Sequence, residues 1–246
     1  MITKRSVVSA IFAASLAAAG GATSVAGQSP GASPPPLELN DKGSFAVSFA
    51  GHPLGTERFV IKSSPTRIEA DAEIELKSQQ AGQTLDIKST PKLVLSPQFE
   101  PQTYVINQKG APEFHLEVDF RSSPAKSKLR LGAKKEDDVR EFALTKDVVI
   151  LDDNVINHYQ LLVDRFALKP DKQQTFNAYT PQEAVPGTLD VQDIGTEEVE
   201  VAGKKEKLRH LVVSTELARV DLWVDAQQHL QRILIPAIQL EGVRTK

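Results

Sequence analysis

From Arg67 to Lys77 the chain changes polarity at every residue. Ile68, Ala70, Ala72, Ile74 and Leu76 occupy the even positions; Arg67, Glu69, Asp71, Glu73, Glu75 and Lys77 occupy the odd ones. Strand side chains point alternately to opposite faces, whereas a helix would spread these charges around its circumference. The segment therefore reads as a half-buried strand, in a sheet with one dry and one wet face. The pattern returns at Glu113–Arg121, where Phe114, Leu116, Val118 and Phe120 share one parity. It is weaker at Ser44–Phe49, Leu85–Lys88, Lys128–Leu131 and Arg140–Leu144. Leu208–Val213, Val220–Val224, Leu230–Ile235 and Ile238–Val243 complete the candidates in the C-terminal third.

Turn-forming residues punctuate these runs: Gly51-His52-Pro53-Leu54-Gly55, Ala202-Gly203-Lys204-Lys205 and Asp225 to Gln228. Many short strands separated by such signals predict a mainly β, antiparallel fold. It is an open or half-closed barrel, or a sandwich, of about a dozen strands. One segment departs from period two. Val155, Ile156, Tyr159, Leu162, Val163 and Phe166 form a helical stripe after Asp152-Asp153-Asn154, which have the chemistry of an N-cap. The spacing predicts one amphipathic helix over 155–167, packed on a sheet face or plugging a barrel mouth. A single β-rich domain over 41–246, with this helix inserted, is favoured over two β halves (41–151 and 172–246) by domain size.

The first 26 residues have a different character. Lys4 and Arg5 precede an apolar run from Val7 to Ala19, and Ser24-Val25-Ala26 offers small residues for cleavage. This is the pattern of a secretory signal peptide, and the run is short of the roughly 20 residues a membrane helix needs. Cleavage would remove Lys4 and Arg5 and lower the formal charge from -3 to -5. Residues 27–40, rich in Pro, Ser, Gly and Ala, read as a flexible linker. The expected location is the periplasm or the cell exterior. Without cysteine there is neither a disulfide nor a lipobox, so the mature protein is expected to carry no anchor and no integral span. Its acidic balance argues against nucleic acid as a partner.

Motifs that carry chemistry are missing. The 14 glycines never form GxGxxG or a P-loop, and neither HExxH nor GxSxG occurs. His158, near Asp153 in the predicted helix, has residue types suited to general-base work, but a structural polar pair explains it as well. Asp152-Asp153-Asn154 and Glu136-Asp137-Asp138 lack the glycine turn and terminal glutamate of a calcium loop. The expectation is no catalytic residue, no metal site and no cofactor. Phe114, Phe120, Phe142, Tyr159, Phe166 and Trp223 are the candidate ligand-binding residues, because they would line a cavity if the β interior is hollow. If it is filled, they are core.

The ending Val220-Asp221-Leu222-Trp223-Val224-Asp225, followed by Leu230-Gln231-Arg232-Ile233, resembles the strand–turn–strand close of exported bacterial β-barrel-like proteins of unknown function. The Gly51…Gly55-Thr56-Glu57-Arg58-Phe59 hairpin is similar to their opening. The resemblance implies a distant likeness in shape to the LolA/LolB periplasmic carriers, with the 155–167 helix as lid or plug. It transfers no catalytic residue. The expected function is an exported, non-catalytic protein that binds or carries an apolar ligand such as a lipid. The alternative is an envelope assembly protein working through protein partners; an exported hydrolase using His158 is a third reading.

Overall fold

The computed structural model describes residues 39–245 apart from 81, 82, 111, 170 and 217. The expected signal peptide, 1–26, and nearly all of the expected linker lie outside the described residues. The linker's last residue, Asn40, already belongs to a strand, and the Leu39 N–H donates to Ser63 Oγ at 2.8 Å.

The alternating segments are strands. β1 (Asn40–Phe49), β2 (His52–Ser63), β3 (Ile68–Gln80), β4 (Gln83–Leu95), β5 (Pro101–Lys109), β6 (Phe114–Asp119), β7 (Ala125–Leu131) and β8 (Asp138–Phe142) run as an antiparallel meander. After β9 (Val149–Ile150) and the single helix α1 (Asn157–Phe166), a second meander follows: β10 (Gln173–Thr180), β11 (Val185–Val201), β12 (Lys204–Ser214), β13 (Arg219–Val224), β14 (Leu230–Ile235) and β15 (Leu240–Arg244). The two meanders share one sheet because β1 pairs antiparallel with β15, Phe45 facing Arg244 and Phe49 facing Leu240. The described strands thus form one fifteen-stranded sheet.

Its free edges are β8 and β9, at opposite ends of the strand order. Laid flat at about 4.8 Å per strand, they would stand roughly 65 Å apart. Only residues 143–148 join them, and such a segment reaches about 25 Å at most. The sheet must therefore curl until its edges approach. Across the seam the Tyr179 ring of β10 meets Phe142 of β8 at 5.1 Å and Phe120 at 6.1 Å between centroids. The curl stops short of closure, since no ladder joins β8 to β9.

Ala50-Gly51 and Ala202-Gly203 all have positive φ, so two-residue turns close the β1–β2 and β11–β12 hairpins. The turn predicted over Gly51–Gly55 is accordingly tighter, and the extra residue, Leu54, is absorbed as a bulge opposite Val47 and Ser48. Ile238, predicted in the last strand, instead ends a 3-10 turn (Pro236–Ile238) that starts at a residue with no N–H to give a ladder.

α1 covers nearly all of the predicted 155–167 span, but its surroundings differ from an amphipathic surface helix. Asn157, His158, Gln160 and Asp164 are buried together with Tyr159, Leu161, Leu162, Val163 and Phe166. Its partners come from strands all round the curl. Glu57 of β2 binds its first turn, Gly242 of β15 lies under Ile156, and Gln160 Oε1 accepts the Leu230 N–H of β14 at 2.6 Å. Gln174 of β10 donates to Phe166 O, and the Arg209 guanidinium of β12 lies 5.4 Å over the Phe166 ring. The helix fills the inside of the sheet, so its polar side needs protein partners in place of water.

Candidate functional site

The inward face of the sheet and α1 form one continuous apolar core. Of the six aromatic residues singled out, Phe114, Tyr159 and Phe166 lie in it, and Phe120 and Phe142 pack partly buried against it at the seam. Trp223 is elsewhere. Leu222 and Val224 point to the core, so their neighbour faces out, joining Val201 and Leu208 in a separate cluster. There it stacks on His210 at 4.7 Å, lies under the Arg232 guanidinium at 4.7 Å and donates from Nε1 to Glu197 at 2.6 Å. His210 and Arg232 are its cross-strand neighbours on β12 and β14. Six residues read as one lining thus divide between two faces, and Tyr159 and Phe166 belong to the helix that occupies the space they would have lined.

His158 is only 1% exposed. Its Nδ1 accepts the Asp152 N–H at 3.2 Å, so the ring proton sits on Nε2, and burial pushes its pKa down to about 3. Its ring meets Tyr104 edge to face at 5.5 Å. Its bond to the acidic run is thus to the Asp152 backbone N–H and not to the Asp153 carboxylate that spacing suggested. Asp152 accepts from Tyr104 OH at 2.5 Å, from the Gln182 N–H at 2.9 Å and from Gln182 Nε2 at 3.1 Å. Burial raises Asp152 to about 6 against these three bonds. The group ties β5, the helix entry and the β10–β11 turn together. The expected N-cap role of the Asp-Asp-Asn run also falls elsewhere: the residue before α1 is Ile156, and no side chain of the run caps it. That role goes to Glu57. Its Oε2 and Oε1 accept the Ile156 and Asn157 N–H groups at 2.6 and 2.7 Å, and burial lifts its pKa to about 7. Glu57 shares the parity of Phe59 and Ile61, so an acid on an apolar face was the signal in the sequence.

A groove of about 700 Å³ opens on the outer face of β2–β5. Two rows of cross-strand neighbours frame it. Arg58, Glu73, Thr90 and Asn107 form one; Val60, Asp71, Lys92 and Val105 form the other. Between the rows lie Phe59, Ala72 and Pro91. The β3–β4 ladder lapses where Ala72 and Glu73 would face Pro91 and Thr90, and it resumes in the same register on both sides. Proline has no N–H to donate there, which accounts for the gap and for a groove at that point. Arg58 pairs with Glu73 at 3.5 Å, and Lys92 pairs with Asp71 at 3.4 Å and Glu69 at 3.9 Å. Both signs of charge therefore frame the groove beside Val60 and Val105, while Phe59 and Ala72 turn their side chains to the core. Among the described residues no group of three or more His, Cys, Asp or Glu side chains is placed to hold a metal ion.

No protein family and no curated protein matches the sequence. Similarity appears among solved structures. A β-barrel-like protein of a domain of unknown function, DUF1849, from Brucella abortus superposes with a TM-score of 0.58 at 9% identity, over 85% of this chain and 96% of that one. The chain has a β-barrel-like fold. A DUF1089 family protein from Pseudomonas aeruginosa covers 74% of this chain and 90% of its own at 10% identity, with a TM-score of 0.44. The expected likeness to β-barrel-like proteins of unknown function thus holds for the fold. Among the described residues no helix is long and apolar enough to cross a membrane.

Proposed function

We propose that this protein is an exported, non-catalytic binding protein of the bacterial envelope, working through the outer face of its sheet on a protein partner. The observation that carries this is the placement of space in the molecule: α1 fills the inside of the curl, and the β2–β5 groove opens outside it. Two cations and two carboxylates beside Val60 and Val105 suit an extended segment carrying both charges and an apolar side chain. The proposed export rests on Lys4, Arg5 and the apolar run that follows. A photo-crosslinking amino acid at Val105, in cells expressing the full chain, is expected to give one discrete protein adduct in the periplasmic fraction. Val60→Glu should abolish that adduct, and the same probe at Val139 on β8 should not form it. An adduct indifferent to Val60, or none, would overturn the proposal.

A second reading, carriage of a lipid or other apolar ligand, is favoured by the seam, where Phe120, Phe142 and Tyr179 stand at an unclosed join. Native mass spectrometry of gently purified protein separates the two. A bound lipid that survives Val60→Glu supports carriage, and ligand-free protein removes it.

A further inference from the structure

The interior holds carboxyl groups without cations. Glu57 is fully buried, and Asp152 and Asp164 are 3% and 7% exposed. Among the described residues none of the three makes an ion pair with lysine or arginine. Among the described residues their hydrogen-bond partners are neutral donors: the Ile156 and Asn157 N–H groups for Glu57, Tyr104, Gln182 and the Asp153 N–H for Asp152, and Gln160 Nε2 at 2.9 Å for Asp164. At the start of α1 the bonding is also short of a donor. Glu57 Oε1, Glu57 Oε2 and Asn157 Oδ1 are three buried acceptor atoms, yet two N–H groups serve the first two and Asn157 Oδ1 has no donor. A proton on Glu57 relieves the unpaired charge.

We propose that α1 is a proton-seated plug: it packs into the curl with Glu57 and Asp164 as neutral acids, and raising the pH loosens the helix while the strands stay paired. Among the described residues the surroundings offer these two acids no ion pair with a cation. On the side of Glu57 stand Tyr104 of β5, with its proton on Asp152, and neutral His158 of the helix itself. Asp153 is pushed well up by burial, by Asp152 and by Glu183. On the side of Asp164, Asp41 of β1 adds a like charge, which Arg244 of β15 takes up. The remaining cations near the helix are engaged: Arg165 faces Asp147 at 4.0 Å and Arg209 pairs with Asp193. Burial raises Glu57 and Asp164 each to about 7. For an acid raised on folding, the seated state holds the proton more tightly than the loosened one. Stability is then greatest at low pH, declines from the acid's ordinary value near 4.5 and levels off above about 7.

Amide hydrogen exchange of the whole protein, read by mass spectrometry at pH 5 and pH 8 and corrected for intrinsic rates, tests this. Protection of 156–166 is expected to fall at least about tenfold between the two, while β3, β13 and β15 hold theirs. The double variant Glu57→Gln, Asp164→Asn should show a difference below about twofold. Unchanged helix protection in the wild type, equal loss in the strands, or an undiminished response in the variant would each overturn the proposal. Should the variant fail to fold, carbon-13 NMR titration of the wild-type side chains decides. Glu57 and Asp164 titrating near neutrality support the plug; ordinary values below 5 overturn it.

Discussion

Single atoms decide how closely sheet and helix meet. A Cβ on Gly242 would stand 2.6 Å from Ile156 Cδ1 and 2.8 Å from Ile233 Cγ2. Both are side-chain ends, so Gly242→Ala should cost about 1–3 kcal/mol in urea denaturation, and Ile156→Val in the same chain should recover part of it. At Gly55 the obstacle is backbone, with Glu75 O 1.9 Å from the added carbon, so Gly55→Ala should cost more than Gly242→Ala. Tyr104→Phe removes a donor from Asp152, at a cost of about 1–2 kcal/mol. Because that bond lowers the Asp152 pKa, its carboxyl should titrate above about 6 in the variant, measured by NMR. Some of this was open to sequence reading. Glu57 falls on the apolar parity of its strand. Trp223 was not readable in that way, because all of Val220–Val224 is buried and parity alone cannot say which face is the interior.

Among the elements, β3 and β6 were legible because their wet faces are almost wholly charged. β5 and β10 were not: Tyr104, Val105 and Ile106 run together, and Gln173–Thr180 is mostly polar. What makes them strands is pairing with neighbours on both sides. The groove had a trace in the sequence, Pro91 inside a strand-like stretch, but its meaning depends on which partner goes unpaired. α1 was legible as a stripe, yet its burial was not, because Asn157, His158, Gln160 and Asp164 look like a wet face until a curled sheet surrounds them. At ten residues, with no cap of its own, it should depend on that enclosure. A synthetic peptide spanning 155–168 is expected to show no helix by circular dichroism at 25 °C; a stably helical peptide would show that enclosure is not needed.

The whole molecule has two opposed sets of carboxylates. Glu57, Asp152 and Asp164 are raised by burial, and their contribution favours acid pH and fades as pH climbs through the range up to about 7. Asp119 and Asp137 are held below their ordinary range chiefly by hydrogen bonds from Arg121 and Arg130, and Asp221, where desolvation is the largest single effect, by Arg219 and His210 together. What they contribute is lost as pH falls below about 4. Asp119 and Asp137 are exposed enough for solvent to weaken their share. Urea midpoints measured from pH 3 to 9 should therefore peak between about 4.5 and 5.5, and a maximum above 7 would show that the buried acids are ionised at little cost.

The β1–β15 ladder bears on the history of the chain. β1 and β15 are neighbours in the middle of the sheet, so the two meanders cannot join until β15 has been made. Half a sheet with an open edge and no helix inside it is a poor folded state, so a nascent chain should stay unfolded until β15 is available. That suits a polypeptide threaded across a membrane before it folds. It also makes the molecule a cyclic meander cut at the seam. Joining residue 245 to residue 39 through a short linker, with new ends between 143 and 148, breaks no strand pair and should leave a folded protein.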